Sequence, residues 1–387
     1  MPTLKPVTLT VLQVIPALDA GGAERTAVDV ARAVVKAGGK AWIATKGGRL
    51  AAEAEKGGAK IVTGDFDTKH PMAILRNAET LADLIRTERI AIIHARSRAP
   101  AWSAYFAAQR TGAKYVATYH GIYNAKNPIK RWYNSIMAKG DAVIANSQFT
   151  ADHVVAQHKV DAKKLHVIPR GIDVKGFTPA NVTQDRIDAI RKQWNLTPGK
   201  PVIVMPGRLT RWKGQLVFIE ALARLPDRTF EAVMVGDAQE RDAYVDELHA
   251  SLKRLNLTDA VRIPGHCSDM PAALMAADVI VAPSIEPEAF GRVAVEAQAM
   301  GRPIVASRLG AQTETVADGI TGFLFPPGDA EALAQGITRA LALSPDQRKA
   351  MAKKARDRVL ASYSVQAMCE ATLKVYRDIL KAPRENP

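Results

Sequence analysis

A chain of 387 residues is long for one core and sufficient for two domains that each bury a substantial interior. Its two cysteines, Cys267 and Cys369, stand far apart with no CxxC or His-spaced partner, which argues against a disulfide framework or a zinc site and fits a reducing cytoplasm. The net charge of +14 is uneven: residues 1–172 hold 25 Lys and Arg against 13 Asp and Glu, while residues 173–387 hold 28 against 26. The first half therefore seeks an anionic partner, namely nucleic acid, acidic lipid head groups or an anionic substrate. No helix-turn-helix, zinc-finger or RNP-like aromatic motif accompanies the charge, so nucleic acid is the weaker candidate, and a solvated basic face is the plain alternative.

In chain order, the first apolar run, over 8–15, follows Lys5 and precedes Ala17-Leu-Asp-Ala20, the outline of a short signal peptide. It is too short for that, is broken by Gln13 and Pro16, and leads into Gly21-Gly22, so it reads as a strand feeding a glycine loop. No run approaches the roughly 18 apolar residues of a membrane span, and neither export nor membrane crossing is expected. Ahead of a helix over 24–36, Gly21 and Gly22 let backbone N–H groups approach a phosphate or an acceptor hydroxyl. A plain tight turn uses the same pair.

Short apolar strands alternate with helical patterns thereafter. A first series falls near 8–15, 40–45, 59–62, 90–95, 114–119, 142–146 and 165–168. A second falls near 201–206, 230–236, 260–263, 278–283, 303–306 and 322–325. Alternation of this kind predicts an α/β chain with parallel sheets covered on both faces. The series break around Pro169-Arg-Gly-Ile-Asp-Val-Lys-Gly-Phe-Thr-Pro179, rich in turn formers, which divides the chain into domains 1–172 and 173–363. A last helix over 364–380 precedes a polar tail expected to fray.

Within the first series, Asp65-Phe-Asp67 has the spacing of a divalent-ion site, but it follows Thr63-Gly64 without supporting carboxylates and reads as a turn, so no metal is expected. Arg96 and Arg98, leaving the fourth strand, are placed to clamp a carboxylate or phosphate on an acceptor. His120 ends the fifth strand beside Gly121, where it can point into a ligand site; a satisfied histidine with no chemical role is the alternative. The segment 126–139 carries Lys130, Arg131, Trp132, Tyr133, Ile136 and Met137, a basic and aromatic stretch that suits either a membrane interface or core packing of Trp132 and Ile136.

In the second series, Arg208 and Lys213 follow a strand within Gly207-Arg-Leu-Thr-Arg-Trp-Lys213-Gly. Two cations there can neutralise a diphosphate leaving group as its charge develops. Most informative is Glu288-Ala-Phe-Gly-Arg-Val-Ala-Val-Glu296, two carboxylates eight residues apart around a Phe-Gly turn that opens a helix. Glu288 falls in the loop after a buried strand, with Glu296 about two turns into the helix. Backbone N–H groups of Ala289, Phe290, Gly291, Arg292 and Val293 then face an anion at the helix start, while the carboxylates accept hydrogen bonds from sugar hydroxyls.

This Glu288…Glu296 segment resembles the E-x7-E signature of family 4 of the retaining GT-B glycosyltransferases. Gly21-Gly-Ala-Glu-Arg25 and Gly207-Arg-Leu-Thr-Arg-Trp-Lys213-Gly resemble its glycine loop and its G-R-L-x-x-x-K-G segment. Val235-Gly-Asp237, Gly265-His-Cys267 and Gly319-Ile-Thr-Gly322 fall where the family has similar turns, so the resemblance covers roughly the whole chain. It implies the GT-B fold, two Rossmann-like domains facing across a cleft, with the last helix crossing back to the first domain. It also implies that Glu288 binds donor-sugar hydroxyls, Glu296 the ribose, and the Gly265, His266 and Cys267 loop the base through backbone groups. His120 would sit near the reacting sugar, and the diphosphate would help take the acceptor proton from the leaving-group face.

The implied activity is metal-independent transfer from a nucleotide-diphosphate sugar, with no cofactor. The basic first domain points to a glycan or glycolipid acceptor, lipopolysaccharide core or a related one, at an anionic cytoplasmic membrane surface. One departure stands out: Arg170 precedes Gly171 where the family often has Asn, which bears on the hinge contacts. A sugar-nucleotide 2-epimerase of the same fold and a basic nucleic-acid-binding protein are the rival readings.

Overall fold

The computed structural model describes residues 8–19, 21–123, 127–239 and 241–382; Lys5, Ala20, Lys126 and the tail 383–387, which enter the sequence reading, lie outside the described residues. Every predicted strand forms. They are β1 Thr10–Val14, β2 Lys40–Thr45, β3 Lys60–Thr63, β4 Ile92–Ala95, β5 Lys114–Tyr119, β6 Ala142–Ala145 and β7 Leu165–Val167. The second series is β8 Val202–Pro206, β9 Glu231–Val235, β10 Val261–Gly265, β11 Val279–Ala282, β12 Ile304–Ser307 and β13 Phe323–Phe325. All pair in parallel, within two sheets. The chain divides into two compact units: one ends at Gly171 and resumes at Val365, the other runs from Ile172 to Ser364.

The first sheet has the order β3-β2-β1-β4-β5-β6-β7 and the second β10-β9-β8-β11-β12-β13. Its interior follows from the two-residue strand period: Val11 joins Ile43, Ile92 and Val116 on one face, while Leu12 joins Trp42, Ile93 and Ala117 on the other. In the second sheet Ile203 and Met205 pack on one side and Val202 and Val204 on the other. Central strands buried on both faces are why runs such as β11, Val-Ile-Val-Ala, are apolar throughout.

The helix Val365–Lys381 belongs to the first unit, where Met368, Leu373 and Tyr376 pack among Val11, Ile43 and Ile92. Its Tyr376 hydroxyl shares a 2.6 Å hydrogen bond with Nδ1 of buried His94, whose Nε2 shares one of 2.7 Å with Thr118 Oγ1. Burial, reinforced by Arg96 and His120, holds His94 well below the usual imidazole value. No described helix is long and apolar enough to cross a membrane.

Each sheet reverses its strand order once, between β1 and β4 in the first and between β8 and β11 in the second. Loops leaving such neighbours run in opposite directions and open a crevice at the strands' carboxyl ends. Gly21, Gly22, Arg96 and Arg98 follow β1 and β4; Arg208, Lys213 and Glu288 follow β8 and β11.

Candidate functional site

In the second unit the turn Arg211–Lys213 ends at Gly214, with φ +81° and so little room that a Cβ would lie 2.0 Å from the Pro283 carbonyl oxygen. Only glycine permits this approach of the β8 exit to the β11 exit. Ile285 N–H donates to the Trp212 carbonyl over 2.8 Å and fixes it. Lys213 is thereby delivered to Glu288. Its Nζ lies 2.8 Å from Glu288 Oε1, the two side chains being only 13% and 11% exposed, and 4.4 Å from the Trp212 ring centre. Ser284 Oγ donates to the same Oε1 over 2.6 Å. Glu288 is held along its backbone as well, through a parallel bridge to Gly310 and a 2.8 Å hydrogen bond from Ala311 N–H to its carbonyl.

The helix Arg292–Ala299 follows Gly291 with no side-chain cap, leaving its start open to an anion. Glu296 is its fifth residue, so it stands one turn in rather than the two expected, because Phe290 is drawn into the interior against Tyr363 and the helix begins only at Arg292. Arg292 Nε lies 2.5 Å from Glu296 Oε1. Burial pushes the Glu296 carboxyl up, against the pull of Arg292. Arg208 is exposed, and its guanidinium makes no hydrogen bond or ion pair among the described residues. At the β10 exit the Gly265 carbonyl accepts from Gly236 N–H over 2.9 Å, His266 is exposed, and Cys267 turns into the core, where burial raises its thiol. That loop offers backbone groups and an imidazole, not sulfur.

In the first unit Gly21 and Gly22 open the helix Gly22–Lys36, again without a side-chain cap. The Arg170 guanidinium packs so close that a Cβ on Gly22 would lie 2.6 Å from its Nη1. Arg170 Nη2 donates to the His120 carbonyl over 2.8 Å and Asn146 Nδ2 over 3.2 Å. A cavity of about 10 Å³ between Arg96, Thr118, His120, Asn146 and Arg170 has no acidic side chain in its lining. Both His120 ring nitrogens are buried and unpartnered among the described residues, and burial, with Arg170 and Arg96 nearby, holds the ring neutral.

The expected two-arginine clamp does not form. Arg96 is 2% exposed, and its Nε and Nη2 both donate to Gln13 Oε1, the former over 2.8 Å, so it ties the β4 exit to β1. Arg98 instead bonds Asn134 Oδ1 at 3.2 Å and lies 4.2 Å from the Tyr123 ring centre. The two diverge here because Arg96 directly follows β4, its N–H still donating to the Val14 carbonyl of β1 over 2.9 Å, while Arg98 is the first residue of the helix Arg98–Thr111. The basic aromatic segment splits too. A helix, Pro128–Ser135, exposes Ile129 (77%) and Trp132 (62%) beside exposed Lys130 and Arg131, whereas Ile136 and Met137 are buried. Trp132 rests on Trp102 with ring centres 4.7 Å apart. Asp65 and Asp67 are bridged by Lys46 at 3.1 and 2.7 Å, which closes the turn.

Sequence reasoning did not single out Ser284, Trp212, Gln13 or Asn146. Ser284 sits four residues before Glu288 directly after an apolar strand, a position with no periodic signature; Gln13 is legible only as a polar interruption of one.

The sequence matches the family descriptions "Glycosyltransferase Family 4" over residues 20–175 and "Glycosyl transferases group 1" over residues 186–358. A crystal structure of a glycosyltransferase from Rickettsia africae is 38% identical, covers 98% of this chain and 100% of its own, and superposes with a TM-score of 0.91. HepE from Anabaena in complex with UDP is 25% identical over 96% of this chain and 100% of its own, with a TM-score of 0.83; it was also solved with UDP-glucose. A D-inositol 3-phosphate glycosyltransferase from Xylanimonas cellulosilytica is 31% identical over 281 residues, 68% of this chain and 66% of that relative. The chain thus spans just under two thirds of the length of that curated relative. The two parallel sheets are those of the α/β GT-B class anticipated from the sequence.

Proposed function

Because the chain belongs to the group 1, family 4 glycosyltransferases, we propose that it transfers a sugar, with retention, from a nucleotide-diphosphate sugar to a glycan or glycolipid acceptor of the cell envelope. Lipopolysaccharide core or a related glycolipid is the first acceptor to try. The observation that carries the reading is the Lys213–Glu288 pair at the strand-order reversal of the second unit, a cation for phosphate and a carboxylate for hydroxyls at one point. In this reading Arg208, Lys213 and the helix start from Ala289 to Val293 hold the diphosphate. Glu288 binds donor-sugar hydroxyls, Glu296 the ribose, and the backbone of Gly265, His266 and Cys267 the base.

Fixed cations stabilise the leaving oxygen as the glycosyl bond breaks, and the departing phosphate takes the acceptor proton, so the charge needs no further carrier. Gly21 and Gly22 approach the donor or acceptor through backbone N–H groups. Neutral His120 orients a sugar hydroxyl by accepting or donating a hydrogen bond, and Arg98 is the acceptor-side cation. Arg96 supports that edge through Gln13 rather than reaching a ligand itself. The helix Pro128–Ser135, with exposed Ile129 and Trp132 flanking Lys130 and Arg131, is the surface for an anionic membrane on the cytoplasmic side.

A second acceptor reading has its own support. The curated relatives are, by name, D-inositol 3-phosphate glycosyltransferases, and the positive charge of Arg170 beside His120, with no acidic side chain in the lining of the small cavity there, favours an acceptor that carries an anionic group. A thermal-shift screen of UDP-, GDP- and ADP-sugars tests the donor, since ligand at 100 times its dissociation constant adds about 2.7 kcal/mol. Products then separate the rest: a glycosylated lipid supports the first reading and a glycosylated inositol phosphate the second. An epimerised nucleotide sugar without transfer overturns both.

A further inference from the structure

We infer that Ser284 is a positioning residue that makes Glu288 a one-oxygen acceptor and so sets the donor-hydroxyl selectivity of the site, an inference that rests on the donor reading above. Ser284 is 1% exposed, two residues past the end of β11, and its hydroxyl donates to Glu288 Oε1 over 2.6 Å. Lys213 Nζ approaches the same oxygen at 2.8 Å. Two donors therefore occupy Oε1, one an ammonium and one a hydroxyl. Oε2 has no partner among the described residues and is not shut off from solvent. A carboxylate with both oxygens open can bridge two neighbouring hydroxyls of a sugar ring. With one oxygen engaged, it accepts from the substrate chiefly through the other, and the direction of that oxygen is fixed.

Three constraints set that direction. The Glu288 backbone is pinned by its bridge to Gly310 and by Ala311 N–H, so the side chain starts from a fixed point. Lys213 is pinned in turn by the Gly214 turn against Pro283 and by the Trp212 face. Neither restraint controls rotation about the carboxylate's own axis, because a single ammonium, with three rotatable donors, follows Oε1 over a wide arc. The buried Ser284 hydroxyl supplies the second point that stops this rotation. Removing it leaves charge and burial of the pair unchanged but frees the carboxylate to turn. Donor selectivity suffers because an acceptor fixed in space rejects a sugar whose hydroxyl is absent or reversed, whereas a mobile one takes up a neighbour.

The test uses full-length protein with UDP-glucose, GDP-glucose and ADP-glucose as donors, taking forward whichever the wild type turns over, and the monodeoxy analogues of its sugar. Ser284→Ala is expected to lower kcat about tenfold while Kd for the free nucleoside diphosphate stays within twofold, because Lys213 remains in place. The preference of the parent donor over its most strongly rejected deoxy analogue should shrink at least threefold. Ser284→Thr, which restores the hydroxyl, should recover kcat, and thermal melts of both variants identify any that fails to fold. A folded Ser284→Ala enzyme with wild-type kcat and wild-type discrimination overturns the inference. So does an equal loss of nucleoside diphosphate affinity, which would make Ser284 a packing residue of the whole site. Wild-type protein that binds none of the three nucleotide sugars instead overturns the donor reading on which it rests.

Discussion

The crevices at the two strand-order reversals are built alike and charged differently. In the second unit, cations at the β8 and β11 exits meet carboxylates: Lys213 on Glu288, and Arg292 on Glu296. In the first, Arg96 rests on the amide oxygen of Gln13, Arg170 donates to the His120 carbonyl, and no acidic side chain lines the cavity between them. A mixed edge offers acceptors to hydroxyls and a cation to phosphate, which suits a sugar nucleotide. An arginine resting on a neutral amide oxygen, as Arg96 does, keeps its positive charge and favours an anion nearby. The difference is the basis for proposing donor chemistry in one unit and an anionic acceptor at the other, and substitutions can break that proposal at either edge.

The largest effect is expected at Glu288. Glu288→Gln keeps the shape but removes the charge that both Lys213 and the sugar hydroxyls meet, so turnover should fall a hundredfold or more, about 2.7 kcal/mol in barrier. Near-normal turnover by folded protein would remove Glu288 from the site. Arg208→Ala and Lys213→Ala should each weaken binding of the donor's nucleoside diphosphate by about 2 kcal/mol, near thirtyfold, while binding of the bare nucleoside changes little, since charge-assisted contacts to phosphate carry the loss. Calorimetry showing equal losses for both ligands contradicts the assignment of phosphates to this edge.

At the other edge, Arg96→Ala should cost about 1.5 kcal/mol of stability by stranding Gln13, with nucleoside diphosphate affinity unchanged. A loss of acceptor affinity with no change in melting temperature would return Arg96 to the ligand. Acid should also separate the two units. Burial lowers His94 and His120, so the unfolded chain binds more protons than the native one as pH falls below about 6.5, and stability is lost in that direction. The slope is at most about 1.4 kcal/mol per pH unit for each histidine. Glu296 runs the other way: its raised value keeps a proton on the native carboxyl where the unfolded one has lost it, so acidification through that window favours the fold. Hydrogen exchange between pH 7 and 5 should therefore show β4 and β5 opening before the helix Arg292–Ala299. The reverse order would refute the contrast.

The smallest effect concerns the membrane. Charge reversal at Lys130 and Arg131 should weaken partition onto anionic vesicles by about 1 kcal/mol per residue, with nucleotide affinity unaltered. High salt should release the wild type, because screening shortens such attraction to about 3 Å at 1 M. Equal partition onto neutral and anionic vesicles leaves the basic face a solubility feature.

Much of this was legible in the chain. Thirteen strands lay where apolar runs predicted them, because a parallel strand buried on both faces must be apolar at every position. The glycine turns and the Glu288…Glu296 spacing marked the loops that lie at the two strand-order reversals, since local backbone demands are written in local residues. Partnership was not. Lys213 and Glu288 are 75 residues apart in sequence and meet only because the strand order places β8 beside β11 and Gly214 admits the Pro283 carbonyl. Arg96 and Arg98 look equivalent in sequence, yet one directly follows a strand, its N–H bonded to β1, and the other is the first residue of a helix, so one is sealed against Gln13 and the other stacks on Tyr123. The amphipathic segment likewise left Trp132 and Ile136 undecided, and the change from helix to a tighter turn at Ile136 exposed one and buried the other. Periodicity and turn chemistry are short-range and survive in the sequence; which charge is paired, and with what, depends on contacts across strands that only the folded sheet brings together.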